Sequence, residues 1–112
     1  MTPKEYYFEE NCYITELLNN PLDPAVSVAR VRVLPHEKTK WHHLEGITER
    51  YLILEGVGFA TVGDNPPEEV RESAIVHIPP GIRQRIANSG DNDLIFLAIC
   101  TPRFDPGKYL AG

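Results

Sequence analysis

A chain of 112 residues is the size of one domain with one core, and its net charge of −5, with acidic and basic residues mixed along its length, leaves no concentrated basic face for a phosphate backbone. Hydrophobic residues make up 42% and charged residues 24%, a globular composition, and no apolar stretch reaches the length of a membrane span. The first residues lack the basic start and apolar run of a secretion signal, and Cys12 and Cys100 lie far apart in apolar contexts, so the expectation is a cytoplasmic protein with two buried thiols and neither nucleic acid nor membrane as partner.

Ten prolines and eight glycines interrupt the sequence too often for a sustained helical period. The runs between them, rich in Val, Ile, Leu, Tyr and Thr, predict strands in chain order at Cys12–Leu18, Val26–Leu34, Glu49–Val62, Glu69–Arg71, Ala74–Ile78, Gln84–Ala87 and Leu94–Thr101. Three polar segments read as loops: Asn19–Pro24, Gly63–Pro67 and Asn88–Asp93. Gly56 and Gly58 interrupt the longest predicted strand, where a bend would let the chain turn a barrel corner. Short strands separated by turns are the mark of an all-β sandwich or small barrel. The barrel core is expected over about 12–101. Residues 102–112, with Pro102 and Pro106, cannot continue a central strand and are expected to form an ordered arm or a contact to another subunit.

Residues 36–56 and 73–88 carry two motifs in order. The first has His42 and Glu49, with Gly56 six intervening residues beyond the glutamate; the second has Pro79-Pro80-Gly81 followed by Gln84 and Asn88. Together they resemble the cupin superfamily, within it the short single-domain members with one conserved barrel. The resemblance implies an antiparallel double-stranded β-helix, or jelly roll, with a site inside the barrel. It departs from the family pattern where a glycine is replaced by His36, another by Ser73, and a histidine by Gln84. The second histidine of the first motif falls at Leu44 or Glu45.

Strand parity sorts the candidates. With His42 inward, Leu44 is inward too, and His43 and Glu45 point out unless a bulge intervenes. Glu49, Tyr51 and Ile53 share one face, and Arg50, Leu52 and Leu54 the other. Beyond Gly81, the set Ile82, Gln84, Ile86 and Asn88 opposes Arg83 and Arg85. An inward Gln84 needs a partner, because an unpaired buried amide costs on the order of 1–3 kcal/mol. The candidate metal ligands are therefore His42, Glu49 and Gln84, with His43, Glu45 and His77 in second rank, the first two of these entering only through a bulge.

Such mixed nitrogen and oxygen donors suit a divalent ion, Zn, Mn, Fe or Ni, without selecting among them. Tyr51 and Gln84 are the candidate substrate contacts. His77 shares the parity of Ile75 and is the candidate proton carrier, against the plainer reading of a satisfied core histidine. His36 reads as a surface-loop residue and Trp41 as an outward packing residue. Two functions follow as expectations: a metal-dependent enzyme acting on a small carbonyl, carboxylate or sugar-like molecule, or a non-catalytic small-molecule-binding module with a degenerate metal site. The apolar Leu52 and Leu54 face calls for cover and predicts a homodimer.

Overall fold

A computed structural model describes residues 3–112. Eleven strands run in chain order: β1 Tyr6–Phe8, β2 Cys12–Leu18, β3 Ser27–Val33, β4 His42–Leu44, β5 Thr48–Glu55, β6 Gly58–Val62, β7 Glu68–Val70, β8 Ile75–Ile78, β9 Gln84–Asn88, β10 Leu94–Thr101 and β11 Tyr109–Ala111. They form two antiparallel sheets, one in the order β1-β2-β3-β10-β5-β8 and the other in the order β11-β4-β9-β6-β7. Among the described residues no helix is long and apolar enough to cross a membrane.

Alternation builds both inner faces. In β5, Glu49, Tyr51 and Ile53 are buried, while in β10 Phe96, Ala98 and Cys100 are buried opposite them. The five-stranded sheet returns Ala60, Val70 and Ile86 to the same core. The stretch read as one strand from Glu49 to Val62 is two strands in different sheets. Gly56 makes this corner possible, since its φ of +94° is one that side chains rarely adopt. A Cβ at Gly58 would run into the Ala87 carbonyl oxygen.

The three expected loops are loops. Asn88 holds the last of them, its amide donating to the carbonyls of Val33 at 2.9 Å and Asn92 at 2.8 Å and accepting from the Gly90 N–H at 2.9 Å. Strands β1, β4 and β11 were not among the predicted elements; three residues display no period, and the equally short β7 was read one residue late, at Glu69–Arg71. The C-terminal arm folds back on its own chain. Asp105 caps a short 3-10 turn at Pro106–Lys108, and β11 then pairs with β4, matching Tyr109 to Leu44 and Ala111 to His42.

On the outside of the second sheet, Trp41 lies under two guanidinium groups, Arg83 at 4.2 Å and Arg85 at 4.4 Å from its ring centre. Its outward expectation is met within the chain itself. Ile82 departs from its expected parity: it lies before β9, in the turn after Gly81, and is 38% exposed.

Candidate functional site

β4 and β9 bring His42 and Gln84 face to face as direct cross-strand partners, and β5 brings Glu49 and Tyr51 from the opposing sheet. No bulge interrupts β4, so His42 and Leu44 are buried, at 3% and 4% exposure, and His43 points away. The expected place of His43 in a metal site is therefore corrected: it pairs with Leu110 on the outer side of the sheet. Glu45 is exposed beyond the strand end.

His77 needs the same correction. It pairs across from the outward-facing Arg50 and is exposed, so Val76 and Ile78, rather than Ile75 and His77, have the inward parity on β8. It does not line the cavity between the sheets and is not a core histidine; it borders an outer depression beside Asp64 and Glu68. Sequence parity could not choose between the two faces of so short a strand; its register against β5 does.

Gln84 is buried as expected, but its partners are protein groups. Its amide oxygen accepts from the Tyr51 hydroxyl, and its amide nitrogen donates to Glu49 Oε1 at 2.5 Å. It lies behind the cavity wall, where it fixes Tyr51 and Glu49 in place. The cavity itself has a volume of about 90 Å³, with His42 and Leu44 from one sheet, Glu49 and Tyr51 from the other, and Phe8, Glu10, Phe104 and Tyr109 among the remaining walls.

Glu10 and Tyr109 were absent from the sequence-based set. Glu10 sits in the turn between β1 and β2, where Asn11 adopts a left-handed φ of 70°. Its carboxylate accepts from the Tyr109 hydroxyl at 2.7 Å and lies 3.2 Å from His42 Nδ1. The Tyr109 ring stacks on the imidazole, with centroids 5.3 Å apart and an interplanar angle of 17°. A tyrosine three positions before Gly112, outside any predicted strand, carried no sequence signal for this role.

The protonation states follow from contacts. His42 Nδ1 is 2.9 Å from the Lys40 carbonyl oxygen, which can only accept, so Nδ1 carries the ring proton. Burial lowers the His42 pKa, against the Lys40 contact, which favours the charged ring. The ring is thus neutral, and Nε2 holds the lone pair. Among the described residues Nε2 has no hydrogen-bond partner, yet no fully buried side-chain nitrogen or oxygen is unpaired, so Nε2 opens onto the cavity.

Burial also pushes both carboxyl groups up, Glu49 to about 7 and Glu10 to about 8. The hydrogen bond from Gln84 to Glu49 and that from Tyr109 to Glu10 oppose this only in part. Neither carboxyl has a lysine or arginine against it among the described residues.

A resident metal ion, which the fold resemblance implies, does not fit these donors. Of the four inward positions, one is Leu44, and another, Gln84, turns its amide nitrogen rather than its oxygen toward Glu49. His43 and Glu45 are outside. Among the described residues no three His, Cys, Asp or Glu side chains are grouped to hold an ion.

The family model described as a cupin domain matches residues 29–100. An uncharacterized protein of Methanocaldococcus jannaschii is 33% identical over 103 residues, covering 90% of this chain and 82% of its own. Among solved structures, Streptomyces PAC13 with uridine superimposes with a TM-score of 0.83 at 14% identity, covering 98% of this chain and 84% of its own. A Thermotoga maritima protein described as a predicted oxalate decarboxylase gives a TM-score of 0.77 at 24% identity, over 90% of this chain and 92% of its own. At these identities the two structures speak for the fold alone.

Proposed function

Because the chain belongs to the cupin family, we propose that it binds the polar end of a small organic molecule between its two sheets and moves a proton on it at His42 Nε2, with no resident metal ion. The observation that carries this reading is the free Nε2 lone pair: its ring is fixed by a carbonyl on the other nitrogen and the atom faces a cavity.

In this reading His42 takes the proton, and the Lys40 carbonyl oxygen on Nδ1 steadies the imidazolium that forms. Glu49, held near neutrality, returns a proton to the departing or rearranging group. Tyr51 and Gln84 act through Glu49, keeping its carboxyl turned inward. Pac13, described as a nucleoside dehydratase, has the same fold, and loss of water is acid–base chemistry of this kind. The cavity is well below the roughly 300–1,000 Å³ of common ligand pockets, so it receives the reacting end of a molecule rather than all of it.

The rival is the metal-dependent enzyme, with His42, Glu49 and Gln84 around Zn, Mn, Fe or Ni. Nitrogen NMR of the His42 ring and metal analysis of untagged protein, purified without chelator, separate the two. The expected result is a neutral Nδ1–H tautomer with substoichiometric metal that does not rise on reconstitution. A stoichiometric ion that disappears in His42→Ala would overturn the proposal.

A cytoplasmic homodimer completes the reading. Its support is the pair of free buried thiols and the outer face of the six-stranded sheet, where Leu52 lies between Leu97 and the 69% exposed Ile75. Light scattering of the purified chain checks the dimer, and a monomer at all concentrations would remove it.

A further inference from the structure

The polar groups around the cavity are mostly carboxyls and other acceptors, the Ser27 hydroxyl apart. Glu10, Glu16 and Glu49 place carboxyl groups on its walls, and His42 Nε2, on a side chain only 4% exposed, opens onto the cavity as an acceptor without a partner among the described residues. The donors nearby are already engaged with these or other acceptors. Tyr109 donates to Glu10 at 2.7 Å, Tyr6 to Glu16 at 3.4 Å, Tyr51 to Gln84, and Gln84 to Glu49 at 2.5 Å. Even the two thiols point at carboxyls: Cys12 Sγ is 3.8 Å from Glu10 and Cys100 Sγ is 3.8 Å from Glu49.

Elsewhere the chain handles its carboxylates differently. Glu5 and Asp93 on the surface both meet the Arg32 guanidinium. Inside, no lysine or arginine lines the cavity among the described residues, although Arg83 and Arg85 sit on the same sheet and face out over Trp41. The remaining walls include the rings of Phe8, Phe104 and Tyr109, whose faces attract positive charge.

From this one-sided set of acceptors we infer that the cavity receives a cationic nitrogen head group, an ammonium, amidinium or guanidinium, rather than a neutral or anionic one. An anion would meet three carboxyl groups and no lysine or arginine, and a neutral carbonyl would find as donors only the Ser27 hydroxyl and whichever of Glu10 and Glu49 is protonated. A head group made of N–H donors satisfies His42 Nε2 and the carboxyl oxygens together, and charge-assisted bonds of this sort are the strong ones. The inference rests on the reading of this cavity as the ligand site and names the class of molecule that enters it.

Titrations followed by protein NMR test it with three compounds of similar size: methylguanidinium, neutral N-methylurea and acetate. Methylguanidinium is expected to bind at least about tenfold more tightly than the others, about 1.4 kcal/mol, with shifts at His42 and Tyr51. Glu16→Gln, at the half-buried rim, should weaken methylguanidinium several-fold without lowering the melting temperature.

Equal or tighter binding of N-methylurea or acetate overturns the cation inference and leaves the proton-transfer reading standing. Methylguanidinium shifts confined to surface carboxylates, or no binding by any of the three, overturns it as well. Failure of the proton-transfer reading is registered separately, by metal content and the His42 tautomer.

Discussion

Glu10 Oε2 lies 3.2 Å from His42 Nδ1, and the same oxygen accepts the Tyr109 hydroxyl at 2.7 Å. A turn near the N-terminus and the last strand thus meet on one imidazole. Replacing Glu10 by alanine strips the Tyr109 hydroxyl and the Cys12 thiol of their acceptor, and the expected loss of stability is on the order of 1–3 kcal/mol in denaturant melts. Glu10→Gln keeps an acceptor oxygen there and should cost less than half as much. An alanine variant as stable as the parent would show that the contact carries no weight.

The two raised carboxyl groups give this protein an inverted pH profile. Burial pushes Glu49 up to about 7 and Glu10 up to about 8 in the folded state, against an ordinary carboxyl value of 4.5. The folded chain therefore binds more protons than the unfolded chain between about 4.5 and 8, and stability falls as pH rises through that window. Melting temperature should be highest near its acidic end and lower on the alkaline side of neutrality. Glu49→Gln together with Glu10→Gln should flatten the slope; an unchanged slope would assign it to other groups.

Gln84 is the hinge of the buried network, since it satisfies Tyr51 and Glu49 at once. Gln84→Leu leaves a buried hydroxyl and a buried carboxyl without their partner. The expected destabilisation is about 2–4 kcal/mol, with loss of ligand binding beyond what the melting temperature explains. Retention of both stability and binding would place the function elsewhere.

Leu44 and Gln84 occupy inward positions where the family pattern has histidines. Leu44→His combined with Gln84→His would surround the cavity side of β4, β5 and β9 with three imidazoles and Glu49. Calorimetric titration with zinc or manganese should then register at least about a hundredfold gain in affinity over the parent chain. No gain in a folded variant would mean that these side chains do not converge.

His43 and His77 lie on outer surfaces, so alanine at either should change stability by no more than about 0.5 kcal/mol and leave ligand binding intact. His42→Ala, in contrast, should abolish proton transfer. A His77→Ala variant with altered binding would contradict the outward register of β8.

Much of the fold was legible because alternation is local. The run Thr48–Leu54 placed Glu49, Tyr51 and Ile53 on one face with no knowledge of their neighbours, and burial follows it. With His42 taken as inward, the same parity put Leu44 inward and Gln84 among isoleucines, and the loop segments announced themselves through residues that preset a turn. His77 shows the limit. A strand as short as β8 reads equally well on either face, and only its pairing of His77 with Arg50 selects the outer one.

By itself the sequence determined most of the longer strands, the corner at Gly56 and Gly58, and that His42 and His43 face opposite ways in a regular strand, since each depends on backbone geometry within a few residues. The tertiary structure alone decided what these side chains meet. It closed Gln84 onto Tyr51 and Glu49, and it carried Glu10 and Tyr109 from opposite ends of the chain to His42. Those contacts arise from the packing of two sheets and the pairing of β11 with β4, which no local pattern encodes.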